Sequence, residues 1–412
     1  MNTREFVTQT PKLAWLIAFS VLCGGIFGNL LGSLTTEISS ELNLSTQQIG
    51  WLIFWGNAGS AVGAFIGGDM VYRFRPHSLI VLYLSIMGIA VGLLASSHSF
   101  LSLTLSFILY EVVVVGLFTL SHTLIGHMDM ASSIRARVLA VLDVGWSIGA
   151  SIAPLWVIAF LHLYPSWRLP YAAFILLLAG LIAAYTRPRF RQAVDQLSHF
   201  SHASSESETD DTSARHGYLQ LLTAPWAVWA WVAAVLIGYV EWGHSYWFVN
   251  YAHTGHHIPL DQARVGLVGF TLGMVLVRGW QAFIHSSLSI EQRMLRLGVI
   301  GCASYLLLAW MPSDSLLLFF PANLLAGIGI GVTFPILLNH LIDFSPKNTA
   351  KFSALLMFSI ILGAQLAGIV IGYTSEHWGI QTAYGSIALA MLGFFAAAIR
   401  LFHIHKQHTP IS

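Results

Sequence analysis

Charge is what this sequence has least of. Asp, Glu, Lys and Arg make up 9% of its 412 residues, against about 25% in a soluble domain. With 56% hydrophobic residues and a mean hydropathy of +0.71, a water-soluble globule would expose large adhesive patches. That class is excluded, and the bilayer is the expected solvent. Cysteine is scarce as well. Cys23 and Cys302 lie far apart in apolar runs, with no metal-type spacing, and read as small buried hydrophobes. No Gly-rich loop with a Lys is present to cradle phosphate, so nucleotide-driven transport is not expected. No nucleophile–base set marks an enzyme. The formal net charge of +1 says little about partners; neither nucleic acid nor a cofactor is expected, and no oligomer is implied.

What the chain has instead is apolar runs. Twelve are long enough to span: 13–36, 48–72, 77–97, 100–126, 136–162, 167–187, 225–252, 260–285, 293–311, 315–342, 350–374 and 380–402. Crossing a core about 30 Å thick takes about 20 helical residues, and backbone groups in lipid must be satisfied within the segment, so the runs predict helices. The first lacks a small-residue cleavage site and is expected to stay in the bundle. With the N-terminus placed in the cytoplasm, 16 of the 19 Lys and Arg fall on one side. Arg168 and Arg264 fall on the other, and Arg278 inside a span. This segregation predicts a multi-pass protein of the cell (inner) membrane with both termini cytoplasmic.

Residues 188–224 differ from the rest. They are polar, rich in Ser and His, and contain ESETDD, which predicts a cytoplasmic linker between six helices (1–187) and six more (225–412). The halves share faint self-similarity. RARVLAVLDVGWSIGA (135–150) lies on NTAKFSALLMFSIILGA (348–364) so that Gly149 meets Gly363 and Ala150 meets Ala364; Gly50 and Gly63 are laid on Gly266 and Gly279. Two matches in the same order suggest parallel repeats, with a solute site between them near the midplane.

The stretch GGDMVYRFRP (67–76) carries Asp69 and Arg73 where the major facilitator superfamily has its acid and a basic residue after span two. The chain resembles that superfamily over nearly its whole length. Spans seven and eight, with Gly238, Trp247, Tyr251, Ala263, Gly273, Met274 and Arg278, are similar to the fucose:proton symporter-like branch and to TsgA-type carriers. The resemblance implies an all-α fold of twelve transmembrane helices in two pseudo-symmetric six-helix bundles. It also implies proton-coupled symport of a small, polar, sugar-like solute. Two departures stand out: span one has no acid, Asn29 being its most polar deep residue, and Glu111 sits earlier in span four than the family acid. GWSIGASIAP does not match the pattern of drug:proton antiporters, because Pro154 is five past Gly149.

The polar residues inside the spans are the candidates for function. Glu111 lies about 16 Å into span four at 1.5 Å per residue, where a charge on a lone helix costs at least about 3 kcal/mol. It is expected to carry the transported proton; the alternative is a protonated Glu serving as interhelical glue. Phe118 and His122 share its face. Glu241, about 22 Å along span seven, has His244 and Ser245 on its face and is a second proton-coupling candidate that can pair with His244. Closing an outer gate is its other role. Asn57, His122, His244, Trp247 and Arg278 are candidates for binding solute. For Asn57 the alternative is an interhelical hydrogen bond in a Gly-lined seam, and for Arg278 snorkelling or pairing with a buried acid. Trp247 fits an aromatic solute wall or an interfacial belt, and Tyr251 fits the belt better. Asp143 and Asp343 are expected at gates. Asp69 and Arg73 belong to the inner loop, where Asp69 is expected to latch to Lys351 and the start of span eleven. HTGHH (253–257) reads as a solvated loop rather than a metal site, since Gly255 and Pro259 argue against a helix.

Taken together, these features predict a secondary transporter, importing a polar solute with protons. The rival readings are an exporter built on the same fold and a receptor that binds a solute without moving it.

Overall fold

Helix starts are set by local chemistry. Ser99 and Ser102 form a reciprocal capping box ahead of Phe100, Ser289 and Gln292 do the same ahead of Ile290, and Pro76 occupies a first-turn position where its missing N–H is harmless. The computed structural model describes residues 3–196, 218–224, 227–283, 288–311, 315–344 and 348–408; the side chains of 3–5, 68, 69, 71, 72, 196, 218, 219, 344, 349, 350 and 405–408 lie outside that description. Every regular element among the described residues is helical.

Among the described residues, twelve long helices follow in order. They are α1 (Lys12–Leu42), α2 (Thr46–Arg73), α3 (Pro76–Ala95), α4 (Phe100–Gly126), α5 (Ser132–Leu163) and α6 (Arg168–Tyr185), then α7 (Val228–Asn250), α8 (Leu260–Phe283), α9 (Ile290–Trp310), α10 (Leu316–Asp343), α11 (Thr349–Trp378) and α12 (Ile380–His408). Eleven are long and apolar enough to cross a membrane. The other is α7, 23 residues long, in which Glu241, His244, Ser245 and Asn250 lower the mean hydropathy. Leu176 and Leu317 are 78% and 84% exposed, as expected of side chains that face lipid rather than water. The chain is a multi-pass membrane protein.

Three details differ from expectation. The first helix is longer than 13–36 and breaks at Asn29 (φ −112°, ψ 9°), whose amide donates to Gly25 O at 2.8 Å. Residues 253–255, read as loop, belong to a π turn (Tyr251–Gly255) that continues α7, so Gly255 does not end the helix; the stop comes at His257, with φ 54°. Tyr251 is not in a belt. It is fully buried, stacked on Tyr384 at 3.8 Å, and its hydroxyl donates to Leu308 O at 2.6 Å.

The chain forms two compact units. Unit 1 comprises Met1–Leu44, Trp55–Asp210 and Arg278–Phe283; unit 2 comprises Ser45–Phe54, Asp211–Val277 and Ile284–Ser412. The first turns of α2 thus belong to unit 2 and the last turns of α8 to unit 1.

In unit 1, α1 and α5 meet through small residues. Gly149 faces Leu22 O, and Gly24 and Gly28 receive the indole of Trp146. In α2, Gly59, Gly63 and Gly67 lie against the carbonyls of Ile108, Val112 and Gly116 of α4; a Cβ at Gly59 would stand 2.5 Å from Ile108 O. Such spacing lets backbones approach as no larger residue does. Phe27 packs at 4.3 Å against both Tyr110 and Phe174, and the Tyr110 hydroxyl donates to Phe27 O.

Unit 2 repeats the plan. Gly363 of α11 faces Val235 O and Tyr239 N of α7, so the aligned pair Gly149 and Gly363 does the same work in each half. Gly269 and Gly273 of α8 lie against Phe320 O and Leu324 O of α10. Here the sequence alignment was out of register. Gly279 has open space where a Cβ would go, and the packing counterpart of Gly63 is Gly273.

Candidate functional site

The seam between α2 and α4 builds the first candidate site. Because the glycines bring the two backbones together, a side chain as short as Ser60 spans the gap, and its hydroxyl donates to Glu111 Oε2 at 2.7 Å. Glu111 is 5% exposed, and its Cγ lies 3.4 Å from where a Cβ on Gly56 would be. Oε1 is buried without a hydrogen-bond partner. A carboxyl with one oxygen held and the other unengaged has room for a proton on Oε1. Asn57, one turn before Ser60, is also buried.

A second polar group lies further along α4 and α5. His122 Nε2 is 3.4 Å from Asp143 Oδ1, with the side chains 28% and 51% exposed, and the other ring nitrogen, Nδ1, lies 3.0 Å from Phe118 O. One turn beyond Asp143, Ser147 donates to the Asp143 carbonyl at 2.9 Å and accepts from Arg278 Nη1 at 2.7 Å. Unit 1 therefore gathers His122, Asp143 and Arg278 around Ser147. The spacing of residues along the chain did not indicate this grouping.

In unit 2 the expected pairing of Glu241 with His244 is not made. His244 is fully buried, its Nδ1 is 2.7 Å from the Tyr384 hydroxyl, and Nε2 makes no hydrogen bond. Aromatic rings enclose the imidazole: Phe270 at 4.2 Å, Phe248 at 5.0 Å and Tyr305 at 5.6 Å. Glu241 is half-buried and within electrostatic reach of Tyr305. Trp247 is buried, with its indole N–H unpartnered. Asn323, from PANLLAG in α10, is fully buried near His244.

The gate candidates are scattered. Arg73 and Asp343 are exposed and Lys351 is half-buried; the side chain of Asp69 lies outside the described residues. In the HTGHH segment, His253 bonds Ile258 O and His256 bonds the Tyr251 hydroxyl, both at 2.8 Å. Among the described residues no group of three His, Cys, Asp or Glu is placed to hold a metal ion.

Ser60, Ser147, Asn323, Tyr305 and Tyr384 were not anticipated. For Asn323 a signal existed, since a lone amide in an apolar span is the neutral analogue of the oddity that marks Glu111. Serines and tyrosines in apolar helices carry no such mark.

Comparison with known proteins places this architecture. A cis,cis-muconate transport protein of Acinetobacter baylyi is 26% identical, the match covering 98% of this chain and 97% of the relative. A glucose/mannose transporter of Bacillus subtilis is 21% identical, over 94% of each chain. The crystal structure of a bacterial homologue of the human lysosomal transporter Spinster superposes with a TM-score of 0.71 at 15% identity, covering 95% of this chain and 96% of that one. The sequence model of the Major Facilitator Superfamily matches residues 16–350. With twelve long helices and no enzyme among these relatives, the chain belongs to the Major Facilitator Superfamily and is a transporter.

Proposed function

We propose that this transporter carries a small polar, sugar-like solute inward together with a proton, and that Glu111 is the principal proton carrier. One observation carries the reading. A carboxyl is held at a glycine seam in mid-span by a single hydroxyl, with its second oxygen unengaged. Such a group is stable there as the neutral acid and costly as the ion, so gain and loss of its proton can be tied to a change in what surrounds it. Glu241 is the second proton-handling group. Asn57, His122, His244, Trp247 and Arg278 are assigned to the solute, and Asp69, Arg73, Asp143, Asp343 and Lys351 to gating. The protein resides in the inner membrane with both termini cytoplasmic. Support for a sugar-like solute comes from the resemblance of spans seven and eight to the fucose:proton symporter-like branch and from the glucose/mannose relative.

A second reading changes the solute. The muconate relative carries a dicarboxylate by name, and Arg278, hydrogen-bonded to Ser147, is a cation suited to a carboxylate. Solid-supported-membrane electrometry on reconstituted protein decides between them. Pulses of glucose, mannose and cis,cis-muconate are applied to wild type and to Glu111→Gln. A sustained charge transient with a hexose, reduced to a binding spike in the variant, is the expected result. A transient with muconate alone moves the solute to the dicarboxylate class, and no transient with any solute moves export to the front.

A further inference from the structure

Unit 1 carries a strip of positive charge where α6 ends. Arg187 follows the last turn of α6, and Pro188 then starts a short helix, Pro188–Gln196, in which Arg189 and Arg191 are exposed like Arg187. The Arg187 carbonyl accepts from Phe190 N and Arg191 N, both at 3.0 Å, so the three cations stand on a fixed backbone within little more than one turn. Val194 of this helix is fully buried and Phe190 half-buried. The helix thus packs by its apolar residues against α6, α1 and α3 and keeps its arginines outward.

Two more cations stand at the same end of the unit. Tyr185, in the last turn of α6, lies 3.0 Å from Ser20, two turns into α1, so α1 starts where α6 stops. Lys12 at the start of α1 and Arg75 just ahead of α3 are both exposed. Like charges so close repel. The short helix offers one acid, Asp195, 3.9 Å from Arg191. Lys12, Arg75, Arg187 and Arg189 form no ion pair among the described residues. The preference for cations on one side of a membrane explains their presence at this end. It does not explain a packed helix that presents three of them together, since an irregular segment would serve insertion equally well.

Depth identifies the partner. Trp15, one turn into α1 from Lys12, is 37% exposed, and Phe19, one turn further, is 49% exposed. An exposed Trp ahead of an exposed Phe fits the boundary between headgroups and acyl chains, which sets Lys12 and the arginines among the headgroups. There the abundant anion is a lipid phosphate, and the planar guanidinium fork matches phosphate oxygens two at a time.

We propose that the Pro188–Gln196 helix, with Arg187, Lys12 and Arg75, forms a binding site for the headgroup phosphate of an anionic phospholipid. A zwitterionic lipid brings its own ammonium group and is the poorer match. Inorganic phosphate lacks the acyl chains that hold the headgroup at this depth. The site is independent of the solute and of the group that carries the proton.

The test is native mass spectrometry of the full chain released from micelles doped with phosphatidylglycerol, phosphatidylcholine or inorganic phosphate. Wild type should retain phosphatidylglycerol in preference to the other two. The triple variant Arg187→Gln, Arg189→Gln, Arg191→Gln should bind it about a hundredfold more weakly, each Lys or Arg beside an anionic surface being worth about fivefold. The corresponding triple change to Lys should keep most of the binding, which separates charge from fold. A measurement that needs no variant is the salt dependence: wild type should lose the lipid in about 1 M ammonium acetate, where charges are screened beyond about 3 Å. The proposal is overturned if wild type retains phosphatidylcholine or inorganic phosphate as well as it retains phosphatidylglycerol, or if neither the Gln variant nor salt weakens the binding.

Discussion

Ser60 is the hydrogen-bond donor that holds Glu111, at 2.7 Å across the α2–α4 seam. The bond is possible because Gly59 and Gly63 bring the two helices into backbone contact. The carboxyl is therefore held by the fold on one oxygen and left open on the other.

The first prediction follows from that asymmetry. Ser60→Ala strands the second oxygen in an apolar seam, which should cost about 1–3 kcal/mol. Glu111→Gln keeps the shape and can still accept from Ser60, so the fold should survive while solute-driven proton current is lost. Thermal unfolding and electrometry on the same preparations separate the two. If Glu111→Gln unfolds as readily as Ser60→Ala while keeping its current, the carboxyl is packing glue.

Glycine packing gives a matched pair of variants. Gly63→Ala places a methyl against the Val112 carbonyl and should destabilise by about 1–3 kcal/mol through overpacking. Gly279→Ala meets open space and should stabilise by about 0.4–1 kcal/mol by restricting the unfolded chain. Detergent melts of both would show opposite signs. Equal shifts would mean that the seam is looser than described.

His122 and Asp143 face each other at 3.4 Å with substantial exposure. A half-solvated pair contributes little, about 0.2–1 kcal/mol. In a cycle of His122→Gln and Asp143→Asn, coupling in stability should stay in that range. Coupling in transport rate should be larger if the pair opens when solute binds. Additive effects on rate would remove His122 and Asp143 from the transport cycle.

Arg278 provides the test of solute charge. Arg278→Lys keeps the positive charge but loses the planar fork that matches a carboxylate. For a dicarboxylate solute, KM should rise in Arg278→Lys and rise further in Arg278→Gln. For a hexose, the two variants should differ little. Flux assays with labelled glucose and muconate read this directly.

Much of this was legible beforehand, for identifiable reasons. Twelve apolar runs announce twelve helices because lipid allows little else. A single carboxylate in FILYEVVVVGLFTL is conspicuous because charge in a span is costly. Gly149 and Gly363 align because the seam admits only the smallest residue. What stayed hidden depends on three-dimensional neighbours. Spacing offers His244 a partner in Glu241, three residues away, yet its ring binds Tyr384, 140 residues on; sequence spacing reveals only partners on the same helix. Tyr251 has an apolar body and a polar tip, which suit a membrane interface or a buried core equally well, and the carbonyl of Leu308 decided between them. The offset linking α2 to α8 failed because glycines recur too often in both helices to fix a register.

At Gly59, Gly63 and Gly67 the α2–α4 seam is main chain against main chain, and main chain is the same in every amino acid. An interface of that kind gives natural variation nothing to adjust. Gly59, Gly63 and Gly67 are kept or the contact is lost. The residues set among them, Asn57 and Ser60, make none of these backbone contacts, so exchanging one leaves the approach of the two helices unchanged. Frame and polar chemistry are thus written on different positions of one helix, so the groups beside Glu111 can change while the frame stays fixed.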